Sequence, residues 1–177
     1  MRAIIKNLNK NLFNNNIKLL PIIFLILFSR LIPHPPNFTP IISIAILSPL
    51  FFNKNIISLS VLILGMFVTD IFLGIYSNMI FIYLAIVLIF YFSKSFFKLD
   101  SFKKIILCSF FSSLIFFIVT NFAVWSFNGL YSKNLEGLIA CYLLAIPFFH
   151  NTLISTMLFS SITYFVFYKL KGKFIYN

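Results

Sequence analysis

The chain has 177 residues, of which 61% are hydrophobic and only 10% charged, with a formal net charge of +11. A soluble domain carries about 25% charged residues, so this composition excludes an ordinary water-soluble globule and points to an integral membrane protein whose first partner is the lipid bilayer. The positive charge does not indicate nucleic acid as a partner, because the basic residues sit in short clusters beside apolar runs and never form a stripe with interleaved aromatics.

In chain order, the polar start "NKNLFNNN" reflects a general overuse of Lys and Asn, and no function is assigned to it. The run Leu19 to Leu27 follows a basic segment like a leader peptide, yet no small-residue cleavage site follows, so it reads as part of a first membrane helix over 17–32. Further apolar segments fall at 38–52, 56–73, 77–92, 104–125 and 148–168. The first two are short for a hydrocarbon core that needs about 20 helical residues, and Pro49 opens a re-entrant alternative for 38–52. Running 138–168 as one helix gives about 46 Å at 1.5 Å per residue. A short outer half-helix over 137–146 and a break at Pro147 are therefore expected, with one long kinked helix as the alternative.

The basic residues choose the topology. Six crossings with the N-terminus inside place Arg2, Lys6, Lys10, Lys18, Lys54, Lys94, Lys98, Lys103, Lys104, Lys169, Lys171 and Lys173 on the inner side, leaving Arg30 and Lys133 outside. That asymmetry is the positive-inside bias. The expected fold is an all-α membrane protein: one transmembrane domain over 1–177, six helices in a bundle, both termini cytoplasmic. Ser109 with Ser113, Thr156 with Ser160, and Gly65 mark close-packing helix faces.

With this topology the polar residues gather toward the outer end. The stretch "RLIPHPPNFTPI" holds Arg30, His34 and Asn37 among four prolines, which fix φ and remove backbone donors. Non-helical backbone at membrane depth is tolerated only against protein or a water-lined cavity. Asp70 lies near the outer end of the third segment, and Asn121 and Trp125 share a face of the fifth. Arg30 stands in a chain that otherwise prefers lysine, and it is expected to pair with Asp70 or to bind a charged ligand group, as a guanidinium fork does better than an ammonium. His34 has no second ligand at metal spacing, so no metal and no cofactor are expected. No P-loop, G-x-S-x-G or H-E-x-x-H motif is present, which removes ATP hydrolysis and the common catalytic centres; the chain is not read as an enzyme.

"RLIPHPPNFTPI", "TDIFLG" at 69–74, "TNFAVW" at 120–125 and "GLIACYLLAIPFFHN" at 137–151 together resemble a family of uncharacterised bacterial membrane proteins assigned to transport. That family is itself similar to the substrate-binding S components of energy-coupling factor (ECF) transporters. The resemblance implies six helices in the bacterial inner membrane and a vitamin or similar micronutrient held near the outer face. It also implies a separate ATP-driven energising module as partner. The matched positions Arg30, His34, Asn37, Asp70, Asn121, Trp125, Tyr142 and Asn151 become the candidate substrate-binding set. S components carry small residues, often alanines one turn apart, on the first helix; here it reads "LLPIIFLILFSRLI", with no alanine. The competing expectation is a membrane scaffold or assembly subunit that docks a partner through the same polar cluster.

Overall fold

A computed structural model describes residues 28–51, 55–76, 78–96 and 101–175. The described residues are all-helical, without strands. Helical residues 28–31 are followed by α1 (Ile41–Phe51), α2 (Asn55–Leu73), α3 (Met79–Phe96), α4 (Phe102–Phe127) and α5 (Leu135–Ile175). The expected first helix over 17–32 lies outside the described residues except for 28–32, and so do most of the basic residues before Lys94 that set the charge asymmetry.

Helix α1 is the hub. It touches each of the other four helices, and every residue from Ile41 to Ser48 is buried. That explains why its sequence shows no apolar stripe: a helix covered on all sides has no face to reserve for water or lipid. At 1.5 Å per residue it is about 16 Å long, roughly half the hydrocarbon thickness. Hydroxyl-to-carbonyl bonds tie it to its neighbours, one given by its own Ser43 and one received from Ser58 of α2. Ser43 Oγ donates to the Thr156 carbonyl at 3.0 Å, and Ser58 Oγ donates to the Ser48 carbonyl at 2.9 Å. Pro49 cannot serve the Ala45 carbonyl, and Ser48 Oγ approaches that oxygen at 3.5 Å instead.

Helices α2, α4 and the Leu135–Val166 part of α5 are each long and apolar enough to cross a membrane. Their outward faces carry Leu64, Phe67, Ile71, Ile118, Phe122, Leu143 and Ile154, all exposed. Small residues at the expected packing positions lie inside the bundle: Ser109, Ser113, Thr156, Ser160 and Gly65 are all buried. Sharp signals end and start the helices around the site. Gly74, at φ 97°, stops α2 by donating its N–H to the Asp70 carbonyl at 2.9 Å. Asn134 caps α5 by accepting from the Gly137 N–H at 2.9 Å. A Cβ at 137 would overlap the Ser132 backbone carbonyl, so the close approach of this loop requires glycine.

The expected break at Pro147 and the separate half-helix over 137–146 are corrected here: α5 runs without interruption from Leu135 to Ile175. It is about 61 Å long at 1.5 Å per residue. The proline is tolerated because contacts to other segments hold the helix on both sides of it. On the near side Tyr142 Oη donates to the Ile118 carbonyl at 2.7 Å and Cys141 Sγ to the Asn121 carbonyl at 3.5 Å. On the far side Phe149 packs on Phe117, and Asn151 bonds the Pro36 carbonyl. Because the helix is held from outside, Pro147→Ala should leave the melting temperature of the detergent-solubilised protein unchanged or raise it. A marked fall would mean that the proline shapes a functional break.

Candidate functional site

At one end of the bundle the loop 32–40 lies against α2 and α5. Its shape follows from "PHPPN". The Phe38 N–H returns to the Pro35 carbonyl at 3.0 Å, closing a turn with Pro36 and Asn37 at its centre. Asn37 has φ 62°, the left-handed region that asparagine enters more readily than most residues. The loop is then held from α5: Asn151 Nδ2 donates to the Pro36 carbonyl at 3.1 Å, and the Ser155 hydroxyl lies between the Thr152 carbonyl of its own helix, at 3.0 Å, and the Asn37 carbonyl, at 3.4 Å. Phe38 meets the Phe159 ring edge to face at 6.0 Å.

The other anchor is ionic. Arg30 and Asp70 form a salt bridge, with side chains 10% and 1% exposed. The guanidinium does not grip the carboxylate with both prongs. One nitrogen goes to Asp70 Oδ1, while the other donates to the Met66 carbonyl at 3.0 Å and to Thr69 Oγ1 at 2.6 Å. Tyr83 of α3 donates its hydroxyl to the second carboxylate oxygen of Asp70. Both ends of the pair are thus hydrogen-bonded, the condition for holding two charges away from water. Tyr76, in the loop after α2, lies close by; burial first, then the Asp70 carboxylate, push its phenol above the ordinary value of 10.0.

Two cavities adjoin beneath the loop. The first, of about 350 Å³, is bordered by Arg30, His34, Asn37 and Thr39 over an apolar floor that includes Ile41 and Met66. The second, of about 250 Å³, is bordered by Asn78, Thr120, Asn121 and Thr152, with Phe117 and Phe149 as its aromatic corner. Asn37, Tyr76, Ile82 and Phe116 belong to both, so the two form one bipartite space. Such a space, mostly apolar with a few convergent polar groups, is the usual form of a small-molecule site. Among the described residues no cluster of His, Cys, Asp or Glu is arranged to hold a metal ion.

The candidate residues therefore separate into groups. Arg30, His34, Asn37 and Asn121 border the space. Asp70 stands behind Arg30. Asn151 and Tyr142 brace backbone carbonyls. Trp125 lines neither cavity: its Nε1 donates to the Ser132 carbonyl at 3.0 Å, and Lys133 lies over its ring. The aromatic rings at the second cavity are those of Phe116, Phe117, Phe148 and Phe149 and the Tyr76 phenol. Tyr76, Asn78, Thr120 and Thr152 were not singled out by the sequence. Asn78 falls inside a segment read as helix, and Thr120 and Thr152 are ordinary members of apolar helices.

The pair's energetics follow from its burial. Arg30→Ala or Asp70→Ala each leaves one charge buried without its partner, an expected loss of about 3–5 kcal/mol. Arg30→Met combined with Asp70→Leu should cost clearly less than the sum of the two single changes. A denaturation series of the four proteins in detergent checks this; additive losses would show that the two side chains act independently.

No curated protein and no solved structure matches this chain. A family model does, over residues 10–176, and the chain belongs to that family of unknown function, DUF6580.

Proposed function

We propose that this protein is a multi-pass bacterial inner-membrane protein that captures a small, micronutrient-like molecule from the outer side and takes part in its transport. The observation that carries the reading is the bipartite space under the 32–40 loop, concave and bordered by Arg30, His34, Asn37 and Asn121. A docking surface for a scaffold would present the same groups on a flat face. The three long apolar helices support membrane insertion, and the charge asymmetry of the full sequence supports an arrangement in which the cavity end faces outward. The likeness to ECF S components adds the expectation of six crossings and of a separate ATP-driven module, since the chain has no nucleotide motif.

Cysteine accessibility tests the orientation and the cavity together. In a background with Cys108 and Cys141 replaced, Thr39→Cys and Thr120→Cys sit in the two halves of the space, and Ser101→Cys sits at the opposite end of the bundle. A membrane-impermeant maleimide should label the first two in intact cells and Ser101→Cys only after permeabilisation. The reverse pattern would contradict the orientation, and failure to label either cavity position would contradict a water-filled pocket.

A further inference from the structure

Tyr76 stands in the short connection between α2 and α3, and it borders three spaces at once. Two are the halves of the cavity; the third is an open groove of about 400 Å³ between the two helices. The groove is lined by Phe67 of α2 and by Met79, Ile80 and Tyr83 of α3, and among the described residues on its border none is charged.

The groove exists because α2 and α3, although consecutive, barely touch one another. At this end they are bridged by the hydroxyl of Tyr83, which bonds Asp70 behind the groove. Ile71 of α2 and Ile80 and Leu84 of α3 are exposed beside it, so the groove is continuous with the apolar outer surface that the long helix α2 presents to lipid. Phe67 lies about 9 Å from the end of α2 at 1.5 Å per residue, which keeps the groove within one leaflet of the bilayer. Tyr76 suits a boundary between lipid and a polar site, since its ring is apolar and its hydroxyl is not. Its backbone is anchored, with the Met79 N–H donating to its carbonyl at 3.1 Å, while its side chain belongs to no helix and turns without breaking a helical hydrogen bond.

The cavity itself has the same mixed character. Ile41, Ile42, Met66, Leu73 and Ile82 make up most of the border of the first half, with Asn37 and Thr39 at its edge. The charged side chain there, Arg30, is already paired with Asp70. We propose that the gap between α2 and α3 is a lateral doorway between the bilayer and the cavity, and that the ligand is an uncharged amphiphile. Its polar end sits among Asn37, Thr39 and Asn121, and its hydrocarbon chain runs past Tyr76 into the groove. This rests on the reading of the space as a ligand site and gives that ligand its chemical class. A molecule polar on every side would lie against apolar walls and gain nothing from the groove, whereas a plain hydrocarbon would leave the polar side chains desolvated without partners.

The test compares two maleimides on Thr39→Cys, in a background with Cys108 and Cys141 replaced and the full-length protein reconstituted in phosphatidylcholine vesicles. N-dodecylmaleimide is an uncharged amphiphile; N-ethylmaleimide carries the same reactive head with no long chain. Both should label the cavity cysteine. Ile80→Trp fills the groove from an exposed position and should slow the dodecyl reagent at least tenfold while leaving the ethyl reagent unchanged. Tyr76→Ala should speed the dodecyl reagent, and Leu143→Trp, on the lipid face of α5, should affect neither. Labelling by the ethyl reagent together with a dodecyl rate that Ile80→Trp leaves unchanged, or with no dodecyl labelling at all, would overturn the doorway and the amphiphile class and leave the cavity standing. If neither reagent labelled Thr39→Cys, the ligand-site reading would be overturned with them.

Discussion

A guanidinium and a carboxylate held away from water need each other, and nearly everything at the cavity end of this protein follows from how Arg30 and Asp70 meet that need. Asp70 lies at the last turns of α2, fully buried, with one oxygen toward Arg30 and the other toward Tyr83 of α3. Arg30 extends the same attachment down α2 through Thr69 and the Met66 carbonyl. Three segments distant in sequence are tied at one point. Few arrangements satisfy so many directional bonds together, so the pair fixes position as well as charge.

From that point the loop 32–40 has only one way to run. It leaves Arg30, turns through Pro35, Pro36 and Asn37, and is caught on α5 by Asn151 and Ser155 before entering the buried helix α1. The segment is fastened at both ends and roofs a cavity between them. Rigid backbone and missing donors, which look like a defect inside a membrane protein, suit a wall that must stand without a helix's own hydrogen bonds. The neutralised pair also removes the strongest charge from the cavity's electrostatics. What is left is a mostly apolar space with the polar side chains of His34, Asn37, Thr39, Thr120 and Asn121 at its border.

The sequence made some of this legible and hid the rest for physical reasons. Charges are so rare in the chain that Arg30 and Asp70 had few alternative partners, and the proline-rich loop could be placed against protein by the cost of bare backbone in lipid. The ends of α2 and α4 were readable within two residues from hydropathy alone. Pro147 misled, since a proline's local cost inside a helix is visible in sequence while the contacts on both sides that offset it are not. Trp125 misled too: its spacing from Asn121 places both on one side of α4, yet the indole turns to the 128–134 loop, a choice made by the Ser132 carbonyl and Lys133. Tyr83 was invisible because nothing in an apolar segment marks which polar atom will meet a charged neighbour.

The central claim is that the Arg30–Asp70 pair holds the 32–40 loop over the cavity, and the most direct measurement is amide hydrogen exchange of the wild type against Asp70→Asn, which keeps the side-chain shape and removes the charge. The account predicts faster exchange across 28–44, where the Ile32, Phe38, Thr39 and Ile44 amides are bonded, with α4 and the 155–166 part of α5 unchanged. Unchanged protection over 28–44 in the variant would contradict it and leave the loop's position to the α5 contacts alone.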